Sequence, residues 1–296
     1  MTVTLSCLIH NKPNLILVPA TTPLNDALAV MHQHNITSVV VERDGNFLGF
    51  VSTIEIMTEL AFGSFEWEKP NPEEFELIKS SEKTVESVLN INKKTQQIHY
   101  FKANDLLINV FEPMSKGVRR VLVSTNFGTY RIVSQTDVVS YVATHLQLLN
   151  LPIDLKQSIV DAKLVTDPPK QEIWKIDGTE TALNGFRFLV LRNILSAPVV
   201  DENGAILTSL SASDLRGVRS ENLKAVLLPT TEYLTNVYGA LIPPITCSIN
   251  DSLQLVVLKL AAARVKRIWI VNGDNKPIGA VSLRSVIGLF HSSVKI

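Results

Sequence analysis

The feature that most constrains the fold of this 296-residue chain is a spacing that occurs four times. An apolar stretch begins fifteen positions after each of four leucines, which are Leu24, Leu106, Leu183 and Leu253. Each stretch leads into a turn containing Gly and Asp or Asn, and then into a second apolar stretch that ends in a serine. These serines are Ser52, Ser134, Ser211 and Ser282. A spacing kept in this way indicates a fourfold internal repeat.

Each copy has the pattern of a β-α-β-β-α unit. In the first copy, apolar residues from Leu24 to Met31 recur at i, i+3, i+4 and i+7, as in an amphipathic helix. A short extended piece precedes this helix. A hairpin follows it, because Asp44-Gly45 tolerates the positive φ of a tight turn. A second helix is expected after the serine. A unit of roughly 60 residues cannot bury both faces of its own sheet, so the units should pair in an α/β (α+β) fold.

The boundaries of the copies follow from this pattern. Repeats one to four are expected at residues 13–62, 84–146, 159–220 and 225–291. Residues 1–150 should form a first module and residues 151–296 a second, divided by the polar stretch 151–156. The acidic segment 63–83, which contains two prolines, should link repeats one and two. Repeat two should open at residues 84–89, and residues 231–239 should form a short helix between repeats three and four.

Local signals predict how the helices begin. Thr22, followed by Pro23, is the expected N-cap in repeat one, and Asp251 or Ser252 is expected in repeat four. Pro113 should distort the first helix of repeat two, because proline lacks the backbone N–H that a helix interior uses.

Composition narrows the class of protein. The chain carries 28 basic and 28 acidic residues, so no net field attracts nucleic acid or an anionic membrane. Two cysteines cannot form a disulfide framework and suit a reducing compartment. The first residues lack the features of a signal peptide, and no apolar run is long enough to span a membrane. We expect a cytoplasmic protein without membrane or nucleic-acid partners, with the nucleus as a second possible location.

A Ser-x-x-acid pattern begins at three of the four serines. The acid position holds, in order along the chain, Glu55, Asp137, Asp214 and Ser285, so the fourth copy has no acid. Serine followed by an acid three positions later is a capping box, and helix capping explains any single copy. The recurrence at one strand-to-helix junction also favours a ligand role, since an acid there can accept hydrogen bonds from a vicinal diol.

The residue pair before the middle strand is basic in only two repeats. The pairs are Thr37-Ser38, Arg119-Arg120, Ser196-Ala197 and Lys266-Arg267. Solvated surface is one interpretation of these charges. In a paired arrangement, however, they would lie at equivalent ends of two units as donors for phosphate. The six histidines are scattered, and no nucleophile–base motif or metal-ligand spacing occurs, so we expect neither an enzyme nor a metal site.

The β-α-β-β-α unit, the Asp-Gly-type hairpin and the Ser-x-x-Asp junction together resemble the cystathionine β-synthase (CBS) domain. Four copies in one chain resemble the regulatory gamma subunits of AMP-activated protein kinase and their plant and fungal relatives. The closest local matches are residues 195–201 and 265–268. The resemblance implies that the CBS units pair into two modules, which form a flat disc around a central channel.

The resemblance also implies roles for particular residues. The ribose-binding residues would be Ser134, Asp137, Ser211 and Asp214, with Glu55 as a marginal acceptor. The phosphate-binding residues would be Arg119, Arg120, Lys266 and Arg267, with Arg284 adding positive charge beside Ser285. Two competent sites at most are expected, because Glu55 is longer than the usual Asp and Ser285 has no charge.

The resemblance therefore implies a non-catalytic, energy-sensing regulator of a kinase. AMP, ADP or ATP would bind in clefts between CBS units as regulatory ligands, and no cofactor would be required. Kinase catalytic and scaffold subunits would be the partners. The alternative is a CBS scaffold with degenerate ligand sites, which acts through protein–protein contacts with a kinase or phosphatase.

Overall fold

The computed structural model describes residues 3–62, 83–89, 97–145, 152–165, 173–192, 194–217 and 220–294. In these ranges, twelve strands form four separate three-stranded sheets, one within each expected repeat. The strands are β1 (Leu17–Pro19), β2 (Ser38–Arg43), β3 (Asn46–Ser52), β4 (Tyr100–Lys102), β5 (Arg120–Ser124), β6 (Tyr130–Ser134), β7 (Ile176–Asp177), β8 (Ser196–Val200), β9 (Ile206–Ser211), β10 (Thr246–Cys247), β11 (Arg267–Val271) and β12 (Pro277–Ser282). In every sheet the first two strands are parallel and the last two form an antiparallel hairpin.

Ten α-helices lie in the same described ranges. They are α1 (Ser6–Ile9), α2 (Leu24–Gln33), α3 (Thr53–Phe62), α4 (Val85–Leu89), α5 (Phe111–Ser115), α6 (Gln135–Thr144), α7 (Ala182–Leu191), α8 (Thr230–Tyr238), α9 (Leu253–Ala263) and α10 (Leu283–Val294). Three 3-10 helices span Leu107–Val110, Ala212–Gly217 and Ser220–Leu227. The mixed α/β fold predicted from the repeat is confirmed, and α8 corresponds to the predicted short helix. No helix in the described ranges is long and apolar enough to cross a membrane.

The predicted unit is clearest in repeat one. The helix face from Leu24 to Met31 is buried, as the period of its apolar residues requires. Asp44 and Gly45 have φ values of 52° and 76°, and they join β2 to β3 in the expected tight turn. The hairpin brings Ser52 opposite Ser38, at the end of the sheet where α3 begins.

The helices match the sequence-based expectations only in part. Thr22 does not cap α2. The Leu24 amide at the start of this helix instead donates to the backbone oxygen of Lys83 at 3.1 Å. Ser252 does cap α9, through the Leu255 amide. Repeat two replaces a single first helix with a 3-10 turn and α5. Pro113 is the third residue of α5, where helix N–H groups lack intrahelical partners.

Repeat three also departs from the predicted pattern. Its second helix is the 3-10 segment Ala212–Gly217 rather than an α-helix. The strand register pairs Ser196 with Ser211, so the residues equivalent to Thr37-Ser38 are Leu195-Ser196 and not Ser196-Ala197. A register shift between Val199 and Val200 accommodates the extra residue in this hairpin.

The chain divides into two compact units that are not the expected modules. Unit 1 consists of Met1–Leu15, Ile98–Ile173 and Ile245–Ile296, and unit 2 consists of Ile16–Gln97 and Trp174–Pro244. Unit 1 thus joins the sheets of repeats two and four, and unit 2 joins those of repeats one and three. The expected compact modules at residues 1–150 and 151–296 are therefore wrong, because each continuous core is shared by alternate repeats.

The cores explain this division. In unit 1, α5 packs against α10 and α6 packs against α9, and Phe111 of α5 contacts Phe290 of α10 with ring centroids 6.3 Å apart. In unit 2, α3 packs against α7. Helices of one repeat therefore bury their apolar faces against helices of the alternate repeat, which is the pairing that a small sheet needs.

Segments outside the four sheets complete these cores. Thr84, expected to open repeat two, forms a β-bridge with Pro23 of repeat one, and α4 packs on β3 in unit 2. Residues 84–89 were expected to open repeat two, but they belong to unit 2, together with repeats one and three. The N-terminal segment behaves in the opposite way, since Thr4 bridges Leu106 of repeat two. Residues 63–82 of the expected acidic linker lie outside the described residues.

Candidate functional site

The hairpin register brings two of the sequence-predicted positions together in every repeat. The serine that ends the last strand pairs directly with the first residue of the middle strand. These pairs are Ser38 with Ser52, Arg120 with Ser134, Ser196 with Ser211, and Arg267 with Ser282. Repeats two and four, which both belong to unit 1, therefore place an arginine beside the Ser-x-x-acid junction.

The capping contacts of the motif are confirmed in all four repeats. The serine N–H donates to the side chain three positions later, over 2.9 Å to Glu55, 2.8 Å to Asp137, 2.7 Å to Asp214 and 3.0 Å to Ser285. A fifth copy, in which the Ser158 hydroxyl donates to Asp161 at 2.8 Å, lies outside the strand-to-helix junctions. The motif therefore does not identify a ligand site without the groups around it.

In unit 1, cations from separate segments converge on the Asp137 junction. Lys266 of repeat four donates through Nζ to the Thr136 hydroxyl at 2.6 Å. Lys12, from the N-terminal segment, places Nζ 2.7 Å from Asp137 Oδ2. Arg264, at the end of α9, places Nη2 3.9 Å from Asp137 Oδ1. The start of α6 adds the positive end of a helix dipole, so the junction combines one carboxylate with an excess of positive charge.

The two carboxylate oxygens of Asp137 have different surroundings. Oδ2 accepts hydrogen bonds from the Ser134 amide at 2.8 Å, the Ser134 hydroxyl at 2.6 Å and the Lys12 ammonium at 2.7 Å. Oδ1 accepts no hydrogen bond from the part of the chain that the structure describes, and it faces the Arg264 guanidinium at 3.9 Å. A carboxylate oxygen offers about two lone-pair sites. Oδ2 is therefore saturated, and Oδ1 retains capacity for a donor.

Asp137 is held in its charged form. Burial favours a raised pKa, but the charge of Lys12 and the hydrogen bonds from Lys12 and Ser134 outweigh burial, and the pKa of Asp137 lies below its ordinary value. The side chain is only 13% exposed, so solvent screens these interactions weakly. An ionised carboxylate of this kind can accept charge-assisted hydrogen bonds from hydroxyl groups.

The junction of repeat four contacts repeat two in the reciprocal way. Arg284 donates through Nε to the backbone oxygen of Ser115 at 2.9 Å, and its guanidinium would lie 3.8 Å from a Cβ added at Gly117. Arg284 thus reaches the loop that precedes Arg119 and Arg120. The amide of Gln135 donates to the Arg119 backbone oxygen at 3.2 Å, which fixes this loop against the start of α6.

Arg267 is an enclosed member of the predicted phosphate donors. Burial lowers the pKa of Arg267, because a low-dielectric environment disfavours the cation. Its guanidinium carbon lies 5.4 Å from the centre of the Trp269 ring, within the range of a cation–π interaction. Arg267 is therefore held by its own strand as well as by its place beside Ser282.

Asp214 of unit 2 has a different environment. It is only 6% exposed, and its carboxylate accepts from the Ser211 amide at 2.7 Å, the Ser211 hydroxyl at 3.2 Å and the Tyr238 hydroxyl at 2.7 Å. Tyr233 donates to the Asp214 backbone oxygen at 3.0 Å. Both oxygens of Asp214 are thus engaged by its own unit. The pair before the middle strand, Leu195-Ser196, supplies no charge.

Glu55 is buried in the same unit. It is 5% exposed, and its Oε2 accepts both the amide and the hydroxyl of Ser52. Its longer side chain folds back on its own capping box rather than reaching another repeat. Among the described residues, no cluster of three or more histidine, cysteine or acidic side chains could hold a metal ion.

Sequence reasoning did not identify Lys12, Thr136, Arg264 or Tyr238. Lys12 is a single basic residue ahead of the first repeat, and no local pattern connects it to Asp137. Thr136 and Arg264 lie one and two positions from predicted residues, so extending the search around each motif would have included them. Tyr238 is exposed at the end of α8, and only the tertiary fold brings its hydroxyl to Asp214.

Known proteins provide independent evidence. The CBS-domain family model matches residues 9–61 and 239–292. The gamma subunit of 5′-AMP-activated protein kinase from Saccharomyces cerevisiae is 21% identical over 294 residues, covering 92% of this chain and 85% of the yeast protein. The SNF1-related protein kinase regulatory subunit gamma-like PV42b from Arabidopsis thaliana is 20% identical, covering 97% of this chain and 94% of the plant protein.

A solved structure supports the fold. Protein MJ1225 from Methanocaldococcus jannaschii aligns with a TM-score of 0.73 at 16% identity, and the alignment covers 97% of this chain and 100% of the MJ1225 chain. At this identity the match concerns the fold alone. The resemblance inferred from the repeats is thereby confirmed. The chain is similar to CBS domains over residues 9–61 and 239–292, and over most of its length to gamma-type regulatory subunits of AMP-activated and SNF1-related protein kinases.

Proposed function

We propose that this chain is a non-catalytic, adenine-nucleotide-binding regulatory subunit of an AMP-activated or SNF1-type protein kinase. The observation that carries the proposal is the convergence in unit 1 of Asp137 from repeat two with Lys266 and Arg264 from repeat four. A carboxylate and a group of cations at one junction match the two ends of a nucleotide, which are a vicinal diol and a phosphate.

The roles follow from the chemistry of each group. Asp137 accepts a ribose hydroxyl through Oδ1, while Ser134 holds the carboxylate in place through Oδ2. Lys266 and Arg264 lie on the adjoining side and pair with phosphate, for which a guanidinium offers bidentate donors. Arg119, Arg120, Arg267 and Arg284 form the second group of cations around the same two repeats and serve the same ligand or its counterpart on repeat four.

The sites of unit 2 are weaker in this proposal. Asp214 and its neighbour Ser211 bind ribose only if the Tyr238 hydroxyl moves away from the carboxylate. Glu55 is occupied by Ser52 and contributes little. One competent site in unit 1, rather than the two expected from the motif, is therefore the proposed count.

The regulatory part of the proposal rests on the relatives. Two of them are named as gamma or gamma-like regulatory subunits of kinases, and they cover nearly all of this chain. A ligand held between two repeats stabilises the geometry of the unit that binds it best, and a kinase partner responds to this change in conformational population. Catalysis belongs to the partner, and the cytoplasm or the nucleus is where such a complex would act.

A second function is favoured by the enclosure of Asp214 and Glu55, which are 6% and 5% exposed. A scaffold whose ligand sites have decayed would retain the capping contacts and lose the open acceptors, as unit 2 does. Such a protein would bind a kinase or phosphatase without responding to nucleotides.

Titration calorimetry with AMP, ADP and ATP distinguishes the two functions. For the sensor, at least one nucleotide binds, and Asp137→Ala weakens it by about tenfold or more, since a hydrogen bond to a charged acceptor contributes about 1.5–3 kcal/mol. Asp161→Ala is the matched control, because Asp161 accepts a hydrogen bond from Ser158 with the same Ser-x-x-acid spacing in the same unit, outside the strand-to-helix junctions. The Asp161→Ala variant should bind the nucleotide with the affinity of the wild type. Absence of binding at millimolar nucleotide, with the fold intact, would support the scaffold instead.

A further inference from the structure

Lys12 introduces a conflict at the Asp137 carboxylate. A ribose diol binds a carboxylate best when its two hydroxyls donate to both oxygens. Oδ2 already accepts three donors, two from Ser134 and one from Lys12. The two Ser134 contacts belong to the helix cap: one comes from the backbone amide, and the other from the hydroxyl that also accepts from the Asp137 amide. A ligand hydroxyl can therefore take the place of the ammonium, which is the one donor to Oδ2 that does not come from Ser134.

The surroundings of Lys12 allow this displacement. Its side chain is 24% exposed, so the ammonium can leave Asp137 without being buried elsewhere. Its backbone is held in place, because Arg131 donates through Nε to the Lys12 carbonyl at 3.0 Å. The displaced ammonium therefore stays tethered next to the junction, where its reach is set by one flexible side chain.

The charges around the junction determine where the displaced ammonium gains a partner. Once ribose hydroxyls occupy the carboxylate oxygens of Asp137, the ammonium has lost its hydrogen bond there, and the cations Arg264 and Lys266 repel it. A ligand that carries phosphate supplies the missing anion, and a nucleoside without phosphate does not. The displacement of Lys12 is thus penalised for a nucleoside and compensated for a nucleotide.

We infer that Lys12 is a specificity-determining residue, whose exchange between Asp137 and the ligand phosphate makes the unit 1 site select nucleotides over nucleosides. This inference rests on the proposed nucleotide-binding function and adds a selection rule to it. It assigns a binding role to the N-terminal segment, which lies outside all four repeats.

The test compares adenosine and ADP binding to the wild type and to Lys12→Met by calorimetry at constant ionic strength. Removing the ammonium removes a competitor of adenosine and a partner of ADP. We expect adenosine to bind about two- to fivefold more tightly and ADP to bind about two- to fivefold more weakly, as one partly exposed ion pair allows. The ratio of the two affinities should therefore fall by about tenfold.

Two control variants accompany the test. Lys102→Met removes an equal charge from β4 of unit 1 and should leave the ratio unchanged. Lys102 pairs with Ser124 of β5, which lies four residues or about 13 Å along the strand from Arg120. Lys12→Arg keeps a cation and should retain most of the selectivity.

The outcomes distinguish a failure of the role inferred for Lys12 from a failure of the proposed nucleotide binding. If the wild type binds ADP and Lys12→Met has the wild-type ratio, or if both ligands change in the same direction by the same factor, the role of Lys12 is refuted while nucleotide binding stands. If the wild type binds neither compound, both the inference and the proposed function fail. A merely structural role for Lys12 would weaken both ligands equally and counts against the inference.

Discussion

Breaking the ion pair between Lys12 and Asp137 should destabilise unit 1 more than breaking an exposed pair of the same unit. The two side chains are 24% and 13% exposed, and the contact of 2.7 Å is also a hydrogen bond. The comparison pair, Lys116 with Glu112, is 72% and 49% exposed at 2.8 Å. Hydrogen bonds to charged groups contribute about 1.5–3 kcal/mol, whereas exposed helical pairs contribute about 0.3–0.5 kcal/mol.

A double-mutant cycle isolates the interaction, since it subtracts the independent effects of each substitution. With Lys12→Met and Asp137→Asn we expect a coupling energy of about 1–2 kcal/mol, lower than the full hydrogen-bond value because Lys12 retains some solvent. Lys116→Met with Glu112→Gln should give about 0.3–0.5 kcal/mol.

The assay must report on unit 1 alone, because a chain with two compact units need not unfold in one step. Trp269 is 2% exposed in β11 and serves as the probe when Trp67 and Trp174 are replaced by phenylalanine. Urea unfolding followed by its fluorescence gives the four free energies of each cycle. A coupling for Lys12 and Asp137 no larger than that of the exposed pair would show that the junction is not the electrostatic centre of unit 1.

Three further predictions concern stability. Because the pKa of Asp137 is lowered in the folded state, its charge stabilises unit 1 fully above the unfolded carboxyl pKa of about 3.9, and this stabilisation is lost as pH falls through the folded pKa. The difference in the free energy of unfolding between wild type and Asp137→Asn should therefore narrow below about pH 4. Gly185→Ala places a Cβ 2.6 Å from a methyl of buried Leu210 and should lower the free energy of unfolding of unit 2, measured by thermal melting, by about 1–3 kcal/mol. Gly273→Ala is the control and should be close to neutral, because its Cβ would have no atom within 4 Å. Tyr238→Phe removes the hydroxyl bonded to the buried carboxylate of unit 2 and should cost about 1–2 kcal/mol in urea unfolding followed by Trp174 fluorescence.

The elements of the fold could be predicted because their signals are local. The apolar period beginning at Leu24 forms a buried helix face, and Asp44-Gly45 forms the tight turn that its conformational freedom allows. In every repeat the amide of the junction serine donates to the side chain three positions later, because donor and acceptor are so near in sequence. Each of these features is decided by neighbours in sequence.

The pairing of the repeats could not be predicted by the same means. Alternate repeats share a core because the helix faces that pack together are chosen by shape and total burial, which no single segment encodes. Thr84 shows this directly, since its sequence suits the start of repeat two while its backbone bridges Pro23 of repeat one.

The site was predicted in part for the same reason. The motif and the strand register led to Asp137, Arg120 and Lys266, but not to the groups that decide how open each acceptor is. Lys12 lies 125 residues from Asp137 in sequence, and Tyr238 lies 24 residues from Asp214. These contacts distinguish the open Oδ1 of Asp137 from the enclosed carboxylate of Asp214, a difference that the shared motif does not reveal.

A crystal structure of the protein grown with ADP is the most direct test of the site. The account predicts electron density for the ribose within hydrogen-bonding distance of Asp137 Oδ1, and for the phosphates beside Arg264 and Lys266. Density for the nucleotide at Asp214 or Glu55, with the Asp137 junction unchanged, would contradict the account.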